Sequence, residues 1–493
     1  MKPVVPPIAQ PCDQPAEEPA NRWPAAGLAW AIGVVFALCL YRTGRRLGFD
    51  SYYYCELAKT YAIAWPHAFG NQWPCGYPLL GGLLGRLGLS AYPALTLVSL
   101  TALAALTAIA AGLAPSKFLV CALAAMPIIG VQIFGAATEL PFAAALLGLA
   151  AALAAWPKPP AIWAAAGLAV LALSLRYAGV IAFGVVGIWL VSNIRTLRAS
   201  GRLVHAILAA ASAVLVAAGF LLWNLLVLGH LSGADRGAQE GLGWHALPGH
   251  LADLGWSLPS ALMLGGLRDR IDAGWLVHGI GWGISFSGAI FCGWALLRPR
   301  HRWVRSCALV AFTYGIGMAI LRSIGSFDAL YNARTFLPMI FPLGLVLAGQ
   351  LCSRLSWVVP GVAGILLASG IASAGRGLSQ QIGGDVKPAI SILRGRLHRD
   401  DIVQVNDLAL SLTAFIPQRT DRVWSEYWRQ DRLERFLVVA ARPVDRSGTP
   451  SPVEPAWLNL CDRLVAQGTH RWLLRAPGLL VLERIGPEPT RGG

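Results

Sequence analysis

Residues 204–228 read VHAILAAASAVLVAAGFLLWNLLVL. No Asp, Glu, Lys or Arg interrupts them, and as a helix they extend roughly 37 Å at ~1.5 Å per residue. The hydrocarbon core of a bilayer is ~30 Å thick, so the stretch is long enough to cross it and longer than a globular core needs. Carried outward from there, the same ruler marks about eleven spans in the 493-residue chain, at 24–41, 92–114, 118–137, 140–156, 161–175, 178–194, 204–228, 276–297, 303–321, 335–351 and 357–374. The fold class implied is an α-helical polytopic membrane protein.

Composition agrees. Hydrophobic residues make up 56% of the chain and charged residues 13%, against about 25% charged in soluble domains. A net charge of +15 would suggest nucleic acid for a soluble protein. Here the basic residues collect at the ends of apolar runs, so membrane topology accounts for them and no nucleic-acid partner is expected. One set of loops carries Lys117, Lys158, Arg195, Arg198, Arg202, Arg298, Arg300, Arg302, Arg305 and Arg354, ten basic residues with no acidic one. That is the positive-inside pattern of cytoplasmic loops. Parity then puts residues 1–23 inside. It puts 42–91, the turns at Glu139 and Arg176, 229–275, 322–334 and everything after about 375 outside. Arg42, Arg45 and Arg46 run against this assignment, but the later loops outvote them. The first span follows the acidic residues Asp13, Glu17 and Glu18 and has no small-x-small cleavage site, so it reads as uncleaved.

The chain therefore divides into a cytoplasmic segment (1–23), a transmembrane domain (24–378) with external loops 42–91 and 229–275, and an external tail (379–493). The tail holds 16 basic and 13 acidic residues. Short apolar strands at Ile402–Val405, Phe436–Ala440, Trp472–Leu474 and Leu479–Leu482, with a helix from Pro455 to about Gln467, predict a small α/β domain. Asn406-Asp407 reads as a helix N-cap. Nine cysteines are scattered without a CxxC pair, so no structural zinc site is expected. Cys55 and Cys75 share one loop, as a disulfide if that loop is periplasmic, or as two thiols. His245 and His250 read as loop polarity rather than metal ligands.

The outer face collects polar residues that packing does not explain. The first external loop contains FDSYYYCELA (49–58), an amphipathic stretch beginning at Asp50 with tyrosines at headgroup level. WPCGYPLL (73–80) follows, a rigid turn back to the membrane. In this order and on this side the two resemble the first external loop of the C-type (GT-C) glycosyltransferase superfamily, polytopic enzymes that take sugars from polyprenyl phosphates. Cys75 stands where that pattern usually has a second proline. Thr138-Glu139-Leu140-Pro141 resembles the family's later acidic helix mouth, and Leu175-Arg176-Tyr177-Ala178-Gly179 its Arg-Tyr-x-Gly element. Trp223-Asn224 through Asp235-Arg236 resembles its long-loop segment, and Phe327-Asp328 through Asn332-Ala333-Arg334 and Leu337-Pro338 its late Arg-to-Pro segment. The resemblance spans roughly residues 25–375.

It implies transfer of a sugar from a polyprenyl-phosphate donor to a glycan, lipid or protein acceptor, with inversion, in a bacterial inner membrane and with the active site and tail periplasmic. High Ala and Arg content suits a GC-rich bacterial genome. Such transfer needs a base for the acceptor proton, cations for the leaving phosphate and an apolar groove for the lipid. Asp50 is the candidate base and Glu139 the second carboxylate. Arg334, Arg176, Arg236 and Arg322 are candidate phosphate ligands, because guanidinium grips phosphate bidentately. Tyr53 and Tyr77 are candidate substrate contacts. No cofactor is expected, and a divalent metal is not indicated. The competing readings are an O-antigen polymerase or ligase, for which loop 229–275 is modest, and a transporter or flippase, for which matched halves are missing.

Overall fold

The computed structural model describes residues 22–41, 49–63, 73–114, 116–232, 243–261, 274–299, 301–325, 333–351, 357–376, 386–398, 401–414, 416, 418–422, 434–441 and 453–485. In chain order the helices begin with α1 (Arg22–Tyr41), α2 (Phe49–Ile63), α3 (Gly76–Arg86), α4 (Ala91–Leu113), α5 (Lys117–Ala124), α6 (Pro127–Phe134), α7 (Glu139–Ala154), α8 (Pro159–Leu175) and α9 (Val180–Ser192). They continue with α10 (Ile194–Ala199), α11 (Leu203–Leu228), α12 (Leu247–Pro259), α13 (Gly274–Leu297), α14 (Arg302–Ile324), α15 (Ala333–Leu351), α16 (Val358–Arg376), α17 (Lys387–Arg394) and α18 (Pro455–Ala466). Five strands complete the described chain: β1 (Ile402–Val405), β2 (Arg419–Arg422), β3 (Phe436–Ala440), β4 (His470–Ala476) and β5 (Leu479–Arg484).

The described apolar runs are mainly helical. Among the described residues six helices, α1, α4, α11, α13, α14 and α15, are long and apolar enough to cross a membrane singly. α5 and α6 form one span bent by 53°, and α7, α8, α9 and α16 are shorter apolar helices. The protein is a multi-pass membrane protein, and its helices form two compact units. One comprises Met1–Phe36, Thr101–Gly130 and Glu139–Ser373; the other comprises Ala37–Leu100, Val131–Thr138 and Ala374–Gly493.

In the first unit α7 packs against α8, α14 and α15 and is buried almost all round, as expected of a helix apolar on every face. α11 and α13 lie outermost, with Leu215, Leu226 and Phe286 exposed by 72%, 74% and 62%. Apolar surface on that scale is stable facing acyl chains, where helices satisfy their own backbone hydrogen bonds. Within the stretch 229–275 lies α12, which packs on α13, α14 and α15. Its approach to α13 depends on two glycines. A Cβ at Gly255 would stand 2.0 Å from the Gly281 carbonyl oxygen, and one at Gly281 would stand 2.3 Å from that of Ala252. The Trp256 indole then donates to the Val277 carbonyl at 2.8 Å. This is small-residue packing of the kind that lets membrane helices meet closely.

The second unit holds a five-stranded sheet of order β2-β1-β3-β5-β4, with α2 packed against it and α3 packed on α2. β1 pairs in parallel with β2 and β3, and β5 pairs antiparallel with β3 and β4. Side chains alternate across a strand. Phe436, Val438 and Ala440 of β3 accordingly enter one core with α17, the 3₁₀ helix Asp407–Ala414 and Tyr52 of α2. Leu437 and Val439 enter the other, with Trp457, Leu460 and Leu464 of α18. Asn406 ties the arrangement together. Its side chain accepts from Ala409 N at 3.1 Å, capping the 3₁₀ helix, and exchanges two bonds with the Ala440 backbone. β2 is a polar strand, RTDR, without the apolar alternation that reveals the others.

Candidate functional site

Three of the sequence-predicted residues meet in the first unit. Glu139 opens α7, where the helix dipole favours a carboxylate, and it has no exposed surface. Its Oε1 accepts from Arg176 Nη1 at 2.5 Å and from Arg334 Nε at 2.6 Å, with Arg334 Nη2 at the same 2.6 Å. The carboxylate side chain is 1% accessible, whereas those of Arg176 and Arg334 are 16% and 30% accessible. The acid is therefore sealed, and the two arginine side chains that hold it remain partly accessible.

Local sequence explains the placement. α8 ends at Leu175, and Arg176 is extended at φ −149°, ψ 140°. A one-turn 3₁₀ helix, Tyr177–Gly179, follows, with Gly179 N donating to Arg176 O at 2.8 Å. The chain folds back so closely that a Cβ at Gly179 would lie 2.2 Å from the Ala172 carbonyl carbon. Glycine is demanded here by space. Tyr177 stacks on Phe220 and accepts from Asn224 Nδ2 at 3.1 Å, which pins the turn to α11. Arg334 is the second residue of α15, close before Phe336 and Met339. Those two, with Leu343, line an apolar cavity of about 620 Å³ between α12, α13, α14 and α15.

Arg322 ends α14 near His250 of α12. Burial first, and the Arg322 charge second, lower the His250 pKa below the usual imidazole range, while Asp253 acts the other way. Arg236 lies outside the described residues, as do residues 326–332 of the late Arg-to-Pro segment. Asp50 sits in the first turn of α2, in the second unit. Tyr53 stacks on Trp73 at 5.6 Å and bonds Arg422. Tyr77 is fully buried, its hydroxyl donating to Leu95 O at 3.0 Å and sharing a bond with Ser99 at 2.9 Å. Cys55 and Cys75 are both free thiols, and burial pushes them up to about 12 and about 11.

The sequence reading missed a polar cluster in the second unit. Glu56 Oε2 accepts from Thr420 N at 3.0 Å, and Oε1 accepts from the Thr420 hydroxyl at 2.7 Å and from the Thr413 hydroxyl. Lys59 donates to Glu56 and Thr413 at 2.8 Å each and to Gln418 O at 2.7 Å, and it is 6% exposed. Tyr52 donates to Thr420 O at 2.8 Å. The available signal was an acid and a lysine three residues apart in a tyrosine-rich helix.

No family model matches the chain, and no curated protein matches it in sequence. Among solved structures it is similar to ArnT from Cupriavidus metallidurans bound to undecaprenyl phosphate, with a TM-score of 0.55 at 14% identity over 94% of this chain and 99% of that one. It also matches the archaeal oligosaccharyltransferase AglB from Archaeoglobus fulgidus, in complex with an inhibitory peptide and a dolichol-phosphate. That match has a TM-score of 0.45 and 13% identity, over 84% of this chain and 69% of that one.

Proposed function

We propose that this chain, which has the fold of the C-type glycosyltransferase superfamily, moves a sugar from a polyprenyl-phosphate donor to a glycan, lipid or protein acceptor on the periplasmic side of a bacterial inner membrane. One observation carries the reading. A sealed carboxylate holds two guanidiniums at the end of a helix that also lines a large apolar cavity. As the bond from the anomeric carbon to the phosphate oxygen breaks, negative charge grows on the phosphate, and preorganised cations stabilise it. Each guanidinium carries five N–H donors in a planar fork that matches phosphate geometry. Glu139 acts as a positioning residue that fixes two mobile side chains before the donor arrives. The cavity between α12 and α15 suits an isoprenoid tail, whose burial contributes about 25 cal/mol per Å² of apolar surface. The likeness to an undecaprenyl-phosphate complex supports the same donor class.

Asp50 is assigned the role of base, on its place in the FDSYYYCELA motif. It removes the acceptor hydroxyl proton as the oxygen attacks the anomeric carbon, the phosphate leaves from the opposite face, and the configuration inverts. The test is turnover by purified protein with a panel of radiolabelled polyprenyl-phosphate sugars. Wild type transfers label from at least one donor, and Asp50→Asn loses ~10²–10⁴-fold in rate with donor binding retained. Wild-type protein that transfers from none of them while driving solute uptake in vesicles would exchange this reading for a transporter.

A further inference from the structure

A second polar site lies in the first unit at the opposite end of α7 from Glu139, about 24 Å away along a 16-residue helix. Trp156, Pro157, Trp189, Asn193, Arg302 and Arg305 line a crevice where the α7–α8 corner, the end of α9 and the start of α14 meet. Arg302 Nη1 donates to the Trp156 carbonyl at 2.9 Å, and the Arg305 guanidinium lies over the Trp189 ring, 5.4 Å from its centroid. Asn193 donates to the Trp189 carbonyl at 2.8 Å. Trp156 and Trp189 are only 5% and 3% exposed. Both indole Nε1 atoms are buried without a hydrogen-bond partner among the described residues.

A buried donor left unmade is costly, and the two tryptophans that carry such donors line one crevice with two arginines. No carboxylate lines it. An acceptor that carries negative charge complements both the indole donors and the guanidiniums that line the crevice. The free space is about 30 Å³, room for roughly two or three water-sized oxygens, which fits the non-bridging oxygens of one phosphate and excludes a sugar ring. The crevice opens at the level where helices end, on the face whose loops carry Lys158, Arg195, Arg198 and Arg202 without an acid. Basic pockets between helices on such a face meet the anionic lipids of the cytoplasmic leaflet.

We propose that Trp156, Trp189, Arg302 and Arg305 form a binding site for the phosphodiester of an anionic phospholipid, on the side of the membrane opposite the glycosyl-transfer centre. The two indole N–H groups and the outer guanidinium donors grip the phosphate oxygens, and the acyl chains lie along the outer helix surface. The site stands on its own residues and does not depend on the enzymatic reading.

The test is native mass spectrometry of the full-length protein in detergent. It is titrated separately with phosphatidylglycerol, phosphatidylcholine and inorganic phosphate, for wild type, Trp189→Phe and Arg305→Gln. Phosphatidylglycerol fills one site at least ~10-fold more tightly than phosphatidylcholine. Arg305→Gln removes about 10-fold of that affinity, and Trp189→Phe, which keeps the ring and deletes one donor, removes about 5-fold, as expected for charge-assisted hydrogen bonds. Trp189→Phe alone decides if Arg305→Gln fails to fold. Equal occupancy by the two lipids, unchanged binding in the folded variants, or full displacement of the lipid by equimolar inorganic phosphate would each overturn the proposal. The last outcome would make the crevice a site for a free anion.

Discussion

Glu139 is sealed between two arginines, so its removal has two separable consequences. Taking away one partner of a buried ion pair costs about 3–5 kcal/mol, and the arginines lose the anchor that orients them. Glu139→Gln is expected to lower the thermal midpoint in detergent and to cut transfer ~10²-fold, while Arg334→Lys, which keeps the charge and loses the fork, cuts transfer with little change in melting. Melting curves and kcat measured side by side check this, and equal loss of stability in both variants would contradict it. Gly179 offers a purely steric test. With a Cβ 2.2 Å from the Ala172 carbonyl carbon, Gly179→Ala must open the turn that delivers Arg176. Strain of this kind costs about 1–3 kcal/mol, and transfer should fall as in an Arg176 variant even though the arginine is intact.

At the scale of elements, the sequence was most legible where a pattern is local. The apolar runs became helices, and the strands at Ile402–Val405 and Phe436–Ala440 appear with the same bounds, because β3 is buried on both faces and reads as a continuous apolar run. Asn406 caps as its residue type suggests. β2 was illegible because its pairing with β1 comes from backbone bonds and its side chains are polar. α12 was hidden because a Gly- and Pro-bearing polar stretch reads as loop until Gly255 and Gly281 are seen to admit one helix against the other. The Glu56–Lys59 cluster was invisible for a similar reason, since its partners lie more than 350 residues away. It clamps α2, the helix bearing Asp50, to the sheet. Lys59→Met should therefore quicken amide exchange across 49–63 several-fold, and unchanged exchange would show that the clamp holds nothing.

The sheet also sets a pH dependence. Burial, then the Arg484 charge, lowers His470 to about 4 from 6.5, so the unfolded state binds the extra proton between those values. The stability this group leaves intact is fully present above about pH 6.5 and is lost as pH falls towards about 4, by on the order of 2–3 kcal/mol. Burial opposes ionisation of Glu483, but the hydrogen bond from Arg471, with Arg435 and Arg396, keeps its pKa below the usual carboxylate value. Its contribution is lost at still lower pH. Amide exchange of β4 and β5 from pH 7 to 4 should quicken in wild type and stay flatter in His470→Gln.

For the molecule as a whole, the multi-pass membrane architecture was readable from apolar length, and the motifs, by their order along the chain, carried the resemblance to C-type glycosyltransferases. Of the candidate site, the meeting of Glu139, Arg176 and Arg334 joins residues 37 and 195 positions apart. Their types were suggestive, but only tertiary packing makes them one group. The positive-inside reading of the ten basic loop residues predicts that a phosphatase reporter fused after residue 485 is active outside the cytoplasm.

The most direct measurement is equilibrium binding of undecaprenyl phosphate and of undecaprenol to the same protein, wild type and Arg176→Gln/Arg334→Gln. If the guanidinium pair receives the donor phosphate, wild type prefers the phosphate by ~100-fold or more, since two charge-assisted contacts together contribute about 3 kcal/mol or more. The double variant binds both lipids alike. A preference that survives loss of both arginines, or none in the wild type, would contradict the account.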